Sequence, residues 1–205
     1  MNPAASKRRL LGLDRSGPKP SVTRRGQPLH PLTIPNLVGY LRLAGIPVFL
    51  VLAFGSGDGR TAPAAILYLA IAASDYLDGF LARATGQYSR MGALLDPLVD
   101  RLTVLAGVAV CWRFELLPRW ALAILAAREV LTLVVAQVGL RRGLDLEINW
   151  VGRWSVWLVM GGIFLSLVTA AWIAPAMFFV GLVGSLLASA LYLRAGLAAM
   201  RRAQA

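Results

Sequence analysis

Six long apolar runs dominate this chain, at about residues 36–54, 63–81, 92–112, 120–139, 151–172 and 175–193. A helix of about 20 residues crosses a ~30 Å hydrocarbon core. In lipid every backbone amide must be satisfied within the protein, so runs of this length and continuity predict helices. Composition agrees: 58% of residues are hydrophobic and only 15% are charged, far from a soluble domain. That apolar fraction excludes a disordered chain. The single cysteine, Cys111, excludes a disulfide scaffold and reads as a small apolar residue of the third run. The expectation is an all-α integral membrane protein with six transmembrane helices, both termini cytoplasmic and a disordered basic N-terminal arm.

The 205 residues leave no room for a separate soluble domain beside six spans. Residues 1–31 hold seven Lys/Arg, a lone Asp14 and five prolines without apolar periodicity, and read as the disordered cytoplasmic arm. The basic stretch is too long for a signal peptide and no cleavable apolar segment follows it. Residues 32–195 form the membrane domain, and 196–205 a short basic tail. Lys and Arg number fifteen on one side of the proposed topology and three on the other, which places both termini in the cytoplasm of the cell membrane. The net charge of +11 points to anionic membrane lipids. The basic residues are scattered between apolar runs rather than gathered on one face, so nucleic acid is not an expected partner. Trp112, Trp120, Trp150 and Trp172 fall at run ends, as an aromatic belt requires. Gly181, Ser185 and Ser189 share one face of the last run and predict a close helix seam, within the chain or between two copies. Gly161 and Gly162 are expected to serve helix packing, and His30 to be solvated.

The chemistry concentrates between the second and third runs. Asp75 and Asp78 are three residues apart on one helix, and Asp96 and Asp100 four apart on the next, so each pair shares a face. An antiparallel packing across the loop at 84–91 converges four carboxylates. A carboxylate at mid-membrane costs on the order of 2.5–3.5 kcal/mol, so four together require a reason. All-oxygen ligands suit Mg²⁺, with Mn²⁺ possible, and two such ions bridged by these acids would clamp a phosphoryl group. Gly79 leaves room beside Asp78, and Arg83 offers a forked donor for a phosphate oxygen. The alternative is a set of ion pairs in which Arg83, Arg90 and Arg101 neutralise three of the acids. A transporter with an intramembrane acidic site is the rival from another class, but the Asp75–Asp100 pattern does not repeat in the second half.

The complete pattern is D-x-x-D-G-x-x-A-R-x8-G-x-x-x-D-x-x-x-D: Asp75, Asp78, Gly79, Ala82, Arg83, Gly92, Asp96 and Asp100. It resembles the signature of the CDP-alcohol phosphotransferases, without a departure. The resemblance implies a six-helix membrane fold, usually a homodimer, that transfers a phosphatidyl group from CDP-diacylglycerol to an alcohol with release of CMP. It implies that Asp75, Asp78, Asp96 and Asp100 hold two divalent ions, with Asp100 also the base for the acceptor hydroxyl. Gly79, Arg83 and Ser89 look like contacts to the cytidine diphosphate. Residues 32–47 resemble the opening of the phosphatidylglycerophosphate synthase and cardiolipin synthase branches, which places Asn36 at the nucleotide. Arg42, Arg128 and Arg153 are the expected acceptor-binding residues. Ion pairing of Arg42 with a motif Asp, and of Arg128 with Glu129, are the alternatives. Gly152, Arg153, Trp154 and Ser155 stand where those branches usually carry Gly-Lys and a following Thr, a departure at the acceptor end. Glycerol 3-phosphate ranks first as acceptor, phosphatidylglycerol close behind, and inositol phosphate or serine lower.

Overall fold

A computed structural model describes residues 30–141 and 150–204. Among them are six α-helices and no strand: α1 (Ile34–Phe54), α2 (Ala62–Thr85), α3 (Arg90–Arg113), α4 (Arg119–Arg141), α5 (Trp150–Val168) and α6 (Ile173–Gln204). All but two of the expected arm residues, 30 and 31, lie outside the described part.

Three helical segments are long and apolar enough to cross a membrane: Ile34–Phe54, Ala62–Ala82 and Ile173–Leu191. A shorter apolar stretch runs over Gly152–Val168. Helices α3 and α4 match the spans in length, but Asp96, Asp100 and Arg101 in one, and Arg128 and Glu129 in the other, dilute their hydropathy. Around an apolar core, several polar groups turn inward while many large apolar side chains face outward. Asn36, Arg42, Glu129, Ser155, Ser166 and Ser185 are buried, while Leu37, Leu41, Val48, Val51, Leu131 and Val134 are exposed. Apolar surface of this extent has its natural solvent in lipid. Trp112, Trp120 and Trp172 stand exposed at helix ends. The buried Cys111 is a small apolar core residue.

Two helix boundaries depart from the apolar runs. The fifth run reads to residue 172, yet α5 stops at Val168, and Thr169 Oγ1 accepts the Ala171 amide to turn the chain. The last helix continues to Gln204 through residues expected to be a tail. Ala, Leu, Met, Arg and Gln are strong helix formers, so propensity extends α6 where hydropathy falls away.

The chain divides into two compact units. One holds α1 to Val51, α2 from Ile66 and α3 to Thr103; the other holds the segment Leu52–Ala65 and everything from Val104 onward.

In the second unit α5 and α6 pack backbone to backbone. A Cβ on Gly162 would lie 2.6 Å from the Phe178 amide nitrogen, and one on Gly181 2.6 Å from the Val159 nitrogen. Gly184 meets the Ser155 hydroxyl in the same way. The small-residue face of the last helix is therefore an intramolecular seam. Ser189 of that face accepts the Arg128 Nε–H at 3.1 Å and donates to the Ser185 carbonyl at 2.9 Å.

Candidate active site

The first unit carries the acidic motif. Thr33 precedes α1 and its Oγ1 accepts the Asn36 amide at 3.4 Å, an N-cap bond, while Pro35 occupies the first turn where no amide partner is needed. Helix α2 ends at Thr85, and Gly86 at φ 68° makes the left-handed turn that stops it. Ser89 then caps α3, its Oγ accepting the Gly92 amide at 2.9 Å. The loop between the helices is four residues, 86–89.

So short a loop returns α3 alongside α2. Asp75 stands ten residues before the end of α2 and Asp100 ten residues after the start of α3. At 1.5 Å per residue both lie about 15 Å from the loop. Asp78 and Asp96 stand seven and six residues from the same ends, nearer the mouth. The spacing therefore sets two levels of paired acids.

Arg42 joins the deeper pair. Its Nη1 lies 3.2 Å from Asp75 Oδ1, and its Nη2 2.6 Å from Asp100 Oδ1. Its Nε donates to the Ile71 carbonyl at 3.1 Å. Gly45, one turn along α1, brings the helices close at this level: a Cβ there would lie 3.0 Å from Ile71 Cδ1. The Arg42 side chain is 1% exposed, against 43% for Asp75 and 37% for Asp100. The ion pair weighed as the alternative for Arg42 is thus formed, with two motif acids rather than one.

Asp96 is half-buried on α3, one turn before Asp100. Pro97 follows it within the helix and cannot donate to the carbonyl four residues back. The side chains of Asp78 and Arg83 lie outside the described residues. Among the described residues no group of three or more His, Cys, Asp or Glu is placed to hold a metal. The chemistry of the donor set nevertheless fits a hard divalent cation: carboxylates only, partly open to solvent, two of them brought together by the fold.

Asn36 and Ser89, expected at the nucleotide, form a buried cluster. Asn36 Nδ2 donates to the His30 and Pro31 carbonyls, each at 3.0 Å, and its Oδ1 accepts the Ser89 hydroxyl at 2.8 Å. A Cβ on Gly92 would lie 2.7 Å from that Oδ1, so the glycine is required by Asn36. Gln87, which the motif reading passed over, accepts the Ile34 amide at 3.2 Å and helps cap α1. Nothing in a loop glutamine signals that role beforehand. Gly79 is half-buried on α2, one residue after Asp78.

Arg128 and Arg153 belong to the second unit. Arg128 pairs with Glu129, its neighbour on α4, and Glu129 is 1% exposed. Arg153 is half-buried near the start of α5.

Comparison with known proteins follows the same residues. The sequence profile described as CDP-alcohol phosphatidyltransferase matches residues 32–189. The chain is 40% identical over 166 residues to a protein of Streptomyces coelicolor named cardiolipin synthase (CMP-forming), covering 77% of each chain. It is 33% identical over 132 residues to a putative cardiolipin synthase of Mycobacterium tuberculosis, covering 64% of this chain and 62% of that one. It is 28% identical over 136 residues to the CDP-diacylglycerol–glycerol-3-phosphate 3-phosphatidyltransferase of Bacillus subtilis, covering 60% of this chain and 70% of the relative. With the profile spanning both the acid-bearing helices and the α5–α6 seam, this membrane protein belongs to the CDP-alcohol phosphatidyltransferase family and is a transferase of phospholipid biosynthesis.

Proposed function

We propose that the chain transfers a phosphatidyl group from CDP-diacylglycerol to the hydroxyl of a glycerol-type acceptor and releases CMP. The observation that carries this reading is the convergence of Asp75 and Asp100 around Arg42 within the complete acidic motif. Asp75, Asp78, Asp96 and Asp100 would hold two Mg²⁺ ions, with Mn²⁺ an effective substitute. Bound there, the ions supply charge neutralisation for the diphosphate and for the departing CMP. Gly79 leaves space for the diphosphate and Arg83 donates to its oxygens. Asn36 and Ser89 set the wall beside the cytidine end. Asp100 takes the proton of the acceptor hydroxyl, whose oxygen attacks the lipid-side phosphorus in line.

For the acceptor, the reading favours phosphatidylglycerol. The 40% identical relative that shares 77% of its length with this chain is named a CMP-forming cardiolipin synthase. Glycerol 3-phosphate, first on sequence alone, is a free dianion that needs fixed positive charge. Arg42, which is buried, and Arg128, which is half-buried, instead spend theirs on Asp75, Asp100 and Glu129. Phosphatidylglycerol brings a monoanionic phosphodiester and is held by its own acyl chains. Glycerol 3-phosphate remains the second reading, on the relative in Bacillus subtilis and on Arg153, which would then meet its phosphate. Chromatography of the lipid product with each acceptor offered alone separates the two: cardiolipin supports the first, phosphatidylglycerophosphate the second.

The topology that fits this reading has six spans, both termini in the cytoplasm and the acidic mouth facing that side, in a homodimer. The count of basic residues supports it, with fifteen on the cytoplasmic side. Residues 1–31 would rest on anionic lipid, at roughly 1 kcal/mol per basic residue near the surface. Deleting residues 1–28 should weaken binding to anionic vesicles and flatten its salt dependence; unchanged binding would remove that role.

A further inference from the structure

We propose that Arg42 is a positioning residue for the metal centre: a built-in cation that holds Asp75 and Asp100 together by one oxygen each. The second oxygen of each remains for a divalent ion. The inference rests on reading the acidic motif as a metal site.

Four observations carry it. Arg42 reaches two helices at once, Asp75 on α2 and Asp100 on α3, and both contacts use Oδ1. Its Nε also donates to a backbone carbonyl, that of Ile71, so the fork is fixed to α2 independently of the carboxylates. The Gly45–Ile71 approach sets the height of α1 against α2, so that a side chain starting at Arg42 spans the gap. Finally, the Arg42 side chain is 1% exposed while those of Asp75 and Asp100 are 43% and 37% exposed. The two acids are therefore open to an arriving solute while Arg42 is closed to it.

Charge explains the need. Two carboxylates held at one depth repel, and without a partner they would turn apart before an ion arrived. One guanidinium between two carboxylates removes that repulsion and still leaves the pair net negative, as a cation site requires. The planar fork suits the bridging geometry; an ammonium on a flexible stem does not. Arg42 on this view touches neither the acceptor nor the reacting phosphorus. It acts through the two acids.

The test is Mn²⁺ binding to the purified full-length chain in detergent, read by electron paramagnetic resonance in the absence of any lipid substrate. Wild type is compared with Arg42→Met, Arg42→Lys and Asp75→Asn. Partners that orient metal ligands typically change affinity 10–100-fold when removed. The expected result is Mn²⁺ binding at least about tenfold weaker in Arg42→Met, with Arg42→Lys in between because it restores charge but not the fork. In turnover assays the Mg²⁺ half-saturation should rise with it while the KM for the acceptor stays near wild type. Mn²⁺ binding equal to or tighter than wild type in Arg42→Met would overturn the proposal, since Arg42 would then compete with the ion. A raised acceptor KM with unaltered Mn²⁺ binding would overturn it too, making Arg42 an acceptor contact. Should Arg42→Met fail to fold, Arg42→Lys decides alone: Mn²⁺ affinity equal to wild type contradicts the role of the fork. Absence of Mn²⁺ binding in wild type would instead sink the metal-site reading itself, and a difference between wild type and Asp75→Asn without one for the Arg42 variants would sink only the role given to Arg42.

Discussion

Ser89 donates its hydroxyl proton to Asn36 Oδ1 at 2.8 Å, across 53 positions of sequence, and the bond is buried. It ties the start of α3 to the start of α1, and through α3 it fixes the helix that carries Asp96 and Asp100. Ser89→Ala removes the cap of α3 and leaves the Asn36 oxygen buried without that donor. Together these should cost about 1–3 kcal/mol. The expected outcome is a lower Tm in detergent. If Ser89 acts chiefly on the nucleotide, as the family resemblance implies, the variant will instead raise the KM for CDP-diacylglycerol at an unchanged Tm. Gly92→Ala should mimic the stability loss, because its Cβ would stand 2.7 Å from the same Asn36 oxygen.

The α5–α6 seam gives a second prediction. Gly181→Val would force a branched side chain into a space where even a Cβ lies 2.6 Å from the Val159 backbone nitrogen. Overpacking typically costs about 1–3 kcal/mol, and backbone cannot yield as a side chain can. Thermal unfolding should show a marked loss of stability, with the mass of the detergent-solubilised particle unchanged. A variant of normal stability but altered oligomeric mass would place this face between copies of the chain.

A third prediction concerns Arg128 and Glu129. Glu129 is buried and Arg128 half-buried, and Ser189 completes the site by accepting the Arg128 Nε–H. Glu129→Gln leaves an uncompensated guanidinium, a change that costs about 3–5 kcal/mol when a buried pair is broken on one side. The double variant Arg128→Met/Glu129→Leu should recover much of that loss. Recovery of stability with acceptor KM near wild type would make the pair structural; recovered stability with a greatly raised acceptor KM would make Arg128 an acceptor contact.

How much of this was legible in the sequence depends on the range of the interaction. The helices and the acidic motif are local patterns. Spacings of three and four residues fix which acids share a face, and continuous apolar runs fix where the helices lie. The close seam at Gly181 was half legible: small residues announce close approach, but only the fold says that α5 is the neighbour. The partners of Arg42 were ambiguous for the same reason, because its place on α1 does not say which acids the neighbouring helices present to it. The Asn36–Ser89 bond had no local signal, since residues 53 apart meet only through the packing of α1 beside the 86–89 loop. The extension of α6 to Gln204 was readable from helix propensity, but hydropathy alone ended it early.

Asp100 supplies the fourth prediction. Asp100→Asn keeps the size of the side chain and one acceptor oxygen, but gives up the second oxygen and the proposed base. CDP-diacylglycerol binding should stay within a few-fold of wild type while turnover falls by about 10²–10⁴, the usual contribution of general base catalysis. Turnover near wild type in this variant would remove Asp100 from the proton transfer.

The measurement that tests the central claim most directly is CMP release by the purified protein in detergent, with CDP-diacylglycerol, Mg²⁺ and one acceptor at a time. Phosphatidylglycerol, glycerol 3-phosphate and inositol phosphate are offered separately, with Asp100→Asn and a chelator as controls. The expected result is CMP release with phosphatidylglycerol, abolished by the chelator and reduced at least about a hundredfold in Asp100→Asn. Release with glycerol 3-phosphate alone would keep the reaction and change the acceptor. No CMP release with any of these alcohols, from protein that is folded and binds Mn²⁺, would contradict the assignment of this acidic site to phosphatidyl transfer.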